Sequence, residues 1–135
     1  MDNNACCLSK TLKLIDILQK KAEHRDCNDN TCSRPFLGNL NNIMCFNTRP
    51  ITFYGCDNNL ISIDYDVVID GVTYTGQSSV FRVEKVSDNC CLVSILIDNP
   101  TPSDNSPYIN TRESATVNLN CVCAIKCLND VIVNL

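Results

Sequence analysis

LISIDYDVVIDGVTYT, residues 60–75, is the stretch whose reading decides the fold. Apolar and polar residues alternate along it, the period of a strand with one dry face and one wet face. Asp64, Asp66 and Asp70 fall toward the wet side, so the carboxylates read as solvated. The Asp70-Gly71 pair between β-rich runs is the signal of a type I′ turn, and it predicts a β-hairpin. Outward from this hairpin the same texture repeats. ITFYGC precedes it, SVFRVEKV and CLVSILI follow with the turn-forming SDN between them, and TVNLNCVCAI and VIVNL close the chain. Residues 99–114, NPTPSDNSPYINTRES, carry Pro100, Pro102 and Pro107 and read as a long polar loop with little capacity to pack.

Ahead of the strands, residues 8–22 form an amphipathic helix. Leu8, Leu12, Ile15, Leu18 and Ala22 recur at three- and four-residue steps. Ser9 or Thr11 is placed to cap its start, and Lys20, Lys21 and Arg25 suit the dipole at its end. Residues 26–49 are loop-like, punctuated by Asn, Gly and Pro. The expectation is a mostly β fold: an antiparallel β-sandwich or barrel-like domain of six or seven strands with one N-terminal amphipathic helix. The division expected is a cysteine-bearing helical arm over 1–33 and a β-rich assembly domain over 34–135.

At 135 residues the chain can bury a core without staples. Its 11 cysteines, about 8% of the composition, therefore call for another explanation than rescue of a small fold. An odd count leaves at least one thiol free or bonded to a partner. Cysteine at this density suggests an oxidising destination, yet MDNNACCLSKTLKLIDILQKK lacks the apolar core and small-residue site of a secretory signal. No apolar run approaches the roughly 18 residues of a membrane span, so membrane insertion is not expected. The net charge is −4 and the basic residues are scattered, which leaves no stripe for nucleic acid.

NLNCVCAIKCLNDV, residues 118–131, puts three cysteines into seven positions. On a continuous strand, Cys121 and Cys123 would lie roughly 6.8 Å apart with parallel Cβ vectors, the wrong arrangement for a mutual disulfide. Cys90 and Cys91, as strand neighbours, point to opposite faces and should seek different partners. Cys45 and Cys56 fit buried small hydrophobes. The cysteine spacings do not form the paired knuckles of a zinc site, and His24, the only histidine, sits at the helix end as a solvated residue. No C-x-x-C redox motif, Cys/His protease pairing or phosphate-cradling loop is present, and the Asp-rich strand lacks a calcium loop. No catalytic residue, cofactor or metal ligand is expected.

Four blocks together resemble the CotY/CotZ family of cysteine-rich spore coat and exosporium proteins, which includes ExsY. They are CNDNTCSRPFLG at 27–38, NTRP at 47–50, SVFRVE at 79–84 and TVNLNCVCAIKCLNDV at 116–131. The cysteine followed by an IDILQ helix is similar too. The chain departs from the family at Ser114, where members often carry cysteine, and in its doublets Cys6-Cys7 and Cys90-Cys91.

The resemblance implies a structural protein rather than an enzyme. It would be made in the mother-cell cytoplasm without a signal peptide and laid on the spore surface, in coat or exosporium. Its partners would be itself, in a ring such as a hexamer extending to a two-dimensional sheet, and other coat or exosporium proteins. Disulfides would lock the lattice. Cys6, Cys7, Cys27 and Cys32 flank the arm and loop and are the candidates for links between subunits. Cys45, Cys56, Cys90, Cys91, Cys121, Cys123 and Cys127 are the candidates for bonds within the domain or at an interface. The alternative is a cytosolic domain that binds zinc or another metal through cysteine thiolates, with a fold lost to chelators.

Overall fold

A computed structural model of the chain describes residues 4–23 and 46–135. Helix α1 spans Asn4–Glu23. Strands β1 (Ile51–Gly55), β2 (Ile63–Ile69), β3 (Val72–Ser78), β4 (Val80–Val86), β5 (Cys90–Ser103), β6 (Ser106–Asn118) and β7 (Val122–Cys127) follow. Five of them make one antiparallel sheet in the order β6-β5-β4-β1-β7, and β2 with β3 make a separate hairpin. The sheet does not close, so the architecture is sandwich-like and β6 and β7 are its two edges.

The hairpin forms as its sequence demands. Ile69 pairs with Val72 across Asp70-Gly71, and both turn residues take positive φ, 53° and 80°. That is the type I′ geometry whose twist matches the strands it joins. Ile63, Tyr65, Val67 and Ile69 turn inward onto the sheet while Asp64, Asp66 and Val68 face out. Period-two alternation also sorts the sheet. Ile51, Phe53, Phe81, Val83, Val93, Ile95 and Ile97 form the main core, where the rings of Phe53 and Phe81 lie 5.6 Å apart. Helix and hairpin cover this face, and Leu12 and Ile15 of α1 enter the same core fully buried. Gln19 fixes the helix at its other end: its amide donates to the Val83 carbonyl at 2.8 Å and its oxygen accepts from Arg49 N at 3.0 Å.

The opposite face is partly closed by the C-terminal segment, where Val131 and Val133 pack on Leu96, Val80 and Tyr108. Arg82, buried between Phe81 and Val83 of β4, points to this side and donates to both Glu84 carboxylate oxygens at 2.7 and 2.9 Å. Its Nε donates to the Thr48 hydroxyl at 2.9 Å, so the desolvated guanidinium is answered by several acceptors. Arg49 and Asp130 pair in a two-pronged bridge at 2.8 and 3.1 Å that ties the segment before β1 to the chain's end.

Four expectations are corrected. The stretch 99–114 is not a loop: β5 runs through Ser103 and β6 begins at Ser106. Between Asp98↔Tyr108 and Ser103↔Ser106 the pairing shifts register, and Pro100 and Pro102 sit in that shift. There no ladder N–H is required of them, which is how the strand tolerates two prolines. The helix starts at Asn4, so Ser9 and Thr11 are interior: Thr11 donates to the Cys7 carbonyl and Ser9 to Ser87, at 3.1 and 3.2 Å. Residues 116–126 are not one strand, because Leu119–Cys121 form a 3₁₀ turn between β6 and β7. Asn118 caps it, accepting from Asn120 N at 3.0 Å. VIVNL is no strand either; Val131 makes one isolated bridge to Thr48.

Candidate functional site

Antiparallel register gathers the cysteines at one end of the domain. β1 pairs with β7 from Ile51↔Cys127 to Gly55↔Val122, so Gly55, Cys56 and the start of β7 share an end. β4, antiparallel to β1, turns back into β5 through Ser87–Asn89, where Ser87 N donates to the Cys90 carbonyl at 2.9 Å, and the 3₁₀ turn Leu119–Cys121 links this turn to the start of β7. β6 arrives there too, with Cys90 opposite Asn118 and Leu119 N donating to the Asn89 carbonyl at 2.8 Å. The opening of α1 completes the group through the Ser9 contact to Ser87 and the Lys13–Asp88 ion pair at 2.7 Å. Cys7, Cys56, Cys90, Cys91, Cys121 and Cys123 therefore lie on five separate segments that converge. Cys127 stands apart at the far end of β7, roughly 13 Å along the strand from Cys123.

These thiols are not equivalent. Cys56 and Cys123 are joined in a disulfide with a Cα–Cα distance of 4.9 Å. The expectation of Cys56 as a buried small hydrophobe is thus corrected: it is exposed and bonded. Local irregularity makes the bond possible. The β1–β7 register shifts between Tyr54 and Gly55, leaving Cys123 unpaired in a bulge beside the residue that follows β1. Cys121 does not bond Cys123, as their spacing predicted. It lies in the 3₁₀ turn, exposed, with its sulfur 3.6 Å from Asn118 Nδ2.

The Cys90-Cys91 doublet splits as expected. Cys90 is exposed and unbonded, while Cys91 is fully buried in the core. Burial pushes the Cys91 thiol up to about 12, with Asp16 adding to the effect. The reactive thiolate is thereby denied it. Among the described residues Cys7, Cys90, Cys121 and Cys127 are the exposed unbonded thiols. Cys6 is placed in α1 by its backbone alone, and Cys27, Cys32, Cys45 and His24 lie outside the described residues. Among the described residues no three His, Cys, Asp or Glu side chains assemble as a metal-ligand set, and no helix is long and apolar enough to cross a membrane.

A thiol-specific label applied to native protein with its Cys56–Cys123 bond intact is expected to modify Cys7, Cys90, Cys121 and Cys127 rapidly and Cys91 only after unfolding. Peptide mapping reads the order. The same burial gives Cys91 a pH signature. Between about 9, where an unfolded thiol ionises, and about 12, the native state keeps a proton that the unfolded state has lost. Stability should fall across that window more steeply in wild type than in Cys91→Val. Equal alkaline slopes in denaturant titrations would show that the thiol is not held neutral in the core.

What could not be read from spacing is the convergence itself. The cysteines at 7, 56, 90, 121 and 123 have no common period, and only the strand order brings them together. The nearest local signal was the SDN turn before Cys90.

No curated protein matches the chain, and no solved structure matches it. A family model described as Spore coat protein Z matches residues 1–112, which include α1, the hairpin, the disulfide's first cysteine and the Cys90-Cys91 doublet. With that match covering most of its length, the chain belongs to the CotZ family of spore coat proteins.

Proposed function

We propose that the chain is a structural subunit that assembles with copies of itself into an ordered shell of the spore surface and is then locked by intersubunit disulfides. The observation that carries this reading is the division of labour among the thiols at one end of the domain. One pair is already spent inside the chain, one thiol is sealed in the core, and Cys7, Cys90 and Cys121 remain exposed and unbonded on three different elements. Thiols placed that way serve bonds to a neighbour better than bonds within the chain. β7 adds to this, because among the described residues it is an edge strand, paired with β1 on one side and with no strand on the other, and edges of that kind suit association beside Cys127. Repetition of a head-to-tail contact closes rings, and contacts between rings extend them into sheets.

The test is a denaturing gel of thiol-blocked protein assembled in air, run with and without strong reductant. The expected result is a high-mass ladder that collapses to the 15.0 kDa chain on reduction. Replacing Cys7, Cys90 and Cys121 by serine together should remove most of the ladder, whereas chelator should leave it intact. A monomer band in both lanes would rule out covalent locking.

A further inference from the structure

We propose that the outer face of α1 and the outer face of the β2–β3 hairpin are the two halves of one head-to-tail contact between copies of this chain. The inference rests on the assembly reading above and adds the surfaces that meet.

Helix α1 is apolar on two sides. Its inner side carries Leu12 and Ile15. On its outer side Leu14, Ile17 and Leu18 are 55%, 51% and 41% exposed. At 100° per residue, Lys10 and Lys21 fall on this same outer stripe, one turn before Leu14 and one turn after Ile17. Both lysines are exposed. The pattern along the helix is cation, apolar patch, cation, over roughly 16 Å.

The hairpin carries the matching pattern with opposite sign. Asp64, Asp66 and Val68 share the outward side of β2, Asp70 stands in the turn, and Val68 is 64% exposed, with Val72 at the tip 52% exposed. That is anion, apolar, anion over roughly 20 Å. Each surface exposes branched apolar side chains that a solvated face does not need, and each is ringed by charges that suit the other.

Charge also decides the geometry. Helix-to-helix pairing of two copies would set lysine against lysine. In the parallel sense Lys10 meets Lys10 and Lys21 meets Lys21, and in the antiparallel sense Lys10 meets Lys21. Hairpin-to-hairpin pairing would set aspartate against aspartate. Only the helix-to-hairpin contact is attractive at both ends, and a contact between two different faces propagates instead of stopping at a dimer.

The experiment uses the full chain in reductant and low salt, so that disulfides do not mask the noncovalent contact. Self-association is followed by sedimentation velocity for wild type, for Lys10→Glu with Lys21→Glu, and for Asp64→Lys with Asp66→Lys. Each double variant alone should associate at least about tenfold more weakly than wild type, since like charges now face each other. An equimolar mixture of the two should recover assembly, because each variant's reversed face meets its complement on the other. Recovery also shows that both variants are folded. Wild-type assembly with unimpaired variants, or with impaired variants that do not rescue one another, overturns this contact alone. A wild-type chain that stays monomeric overturns the contact and the assembly reading together.

Discussion

Replacing Cys56 and Cys123 together by serine is expected to lower the unfolding free energy by about 4 kcal/mol. The bond joins residues separated by 67 positions, so its loss releases a long loop in the unfolded chain. Loop-entropy cost grows only with the logarithm of length, which is why the figure is a few kcal/mol and no larger. The native state should change little. β1 and β7 remain paired from Ile51↔Cys127 to Tyr54↔Ala124, and Val122 stays buried beside them. Urea titration of dilute protein with its exposed thiols blocked would measure the difference. Wild type unfolded in reductant should match the double variant, and both should fall well below oxidised wild type. Coincidence of all three curves would mean that the bond braces nothing. The intersubunit ladder, by contrast, should persist in this variant, because Cys7, Cys90 and Cys121 are untouched. Stability and cross-linking thus separate onto different cysteines.

The parts of this molecule legible in its sequence are those set by neighbours along the chain. Asp70-Gly71 specified a hairpin because only a few residue pairs accept positive φ in succession, and the two strands needed nothing else to find their register. The opposite fates of Cys90 and Cys91 followed from strand alternation alone. The helix was legible as well, although its first turn was not, since Asn4–Cys7 carry no apolar spacing to announce it. The failures share a different cause. Two prolines argued against a strand at 99–103, and a register shift between distant partners absorbs them. Leu119–Cys121 continue an apolar rhythm that suits a strand, yet the chain must change partner there, from β6 beside β5 to β7 beside β1, and the 3₁₀ turn makes that change. The family's blocks were visible throughout, but the end at which the thiols meet is a property of strand order, which no local pattern encodes.

Leu12 and Leu14 sit two residues apart on α1, and they should respond to truncation in opposite ways. Leu12→Ala removes a fully buried side chain from the cluster that holds Phe53, Phe81 and Val83. Lost transfer energy and the cavity left behind should cost about 2–5 kcal/mol of stability, toward the upper part of that range if the neighbouring sheet cannot collapse into the space. Leu14→Ala removes a side chain that is 55% exposed, so it should leave the unfolding free energy within about 0.5 kcal/mol of wild type. Urea titrations of the two variants give the first half of the comparison. Sedimentation of both gives the second: Leu14→Ala should weaken self-association while Leu12→Ala, at temperatures where it is folded, should not. On the proposed contact, one helix would have two employments divided by its azimuth, with the Leu12 and Ile15 face holding the domain together and the Leu14 face meeting another copy. A Leu14→Ala variant that unfolds as readily as Leu12→Ala would place the outer stripe in the fold's own core and take away the surface on which the helix-to-hairpin contact depends.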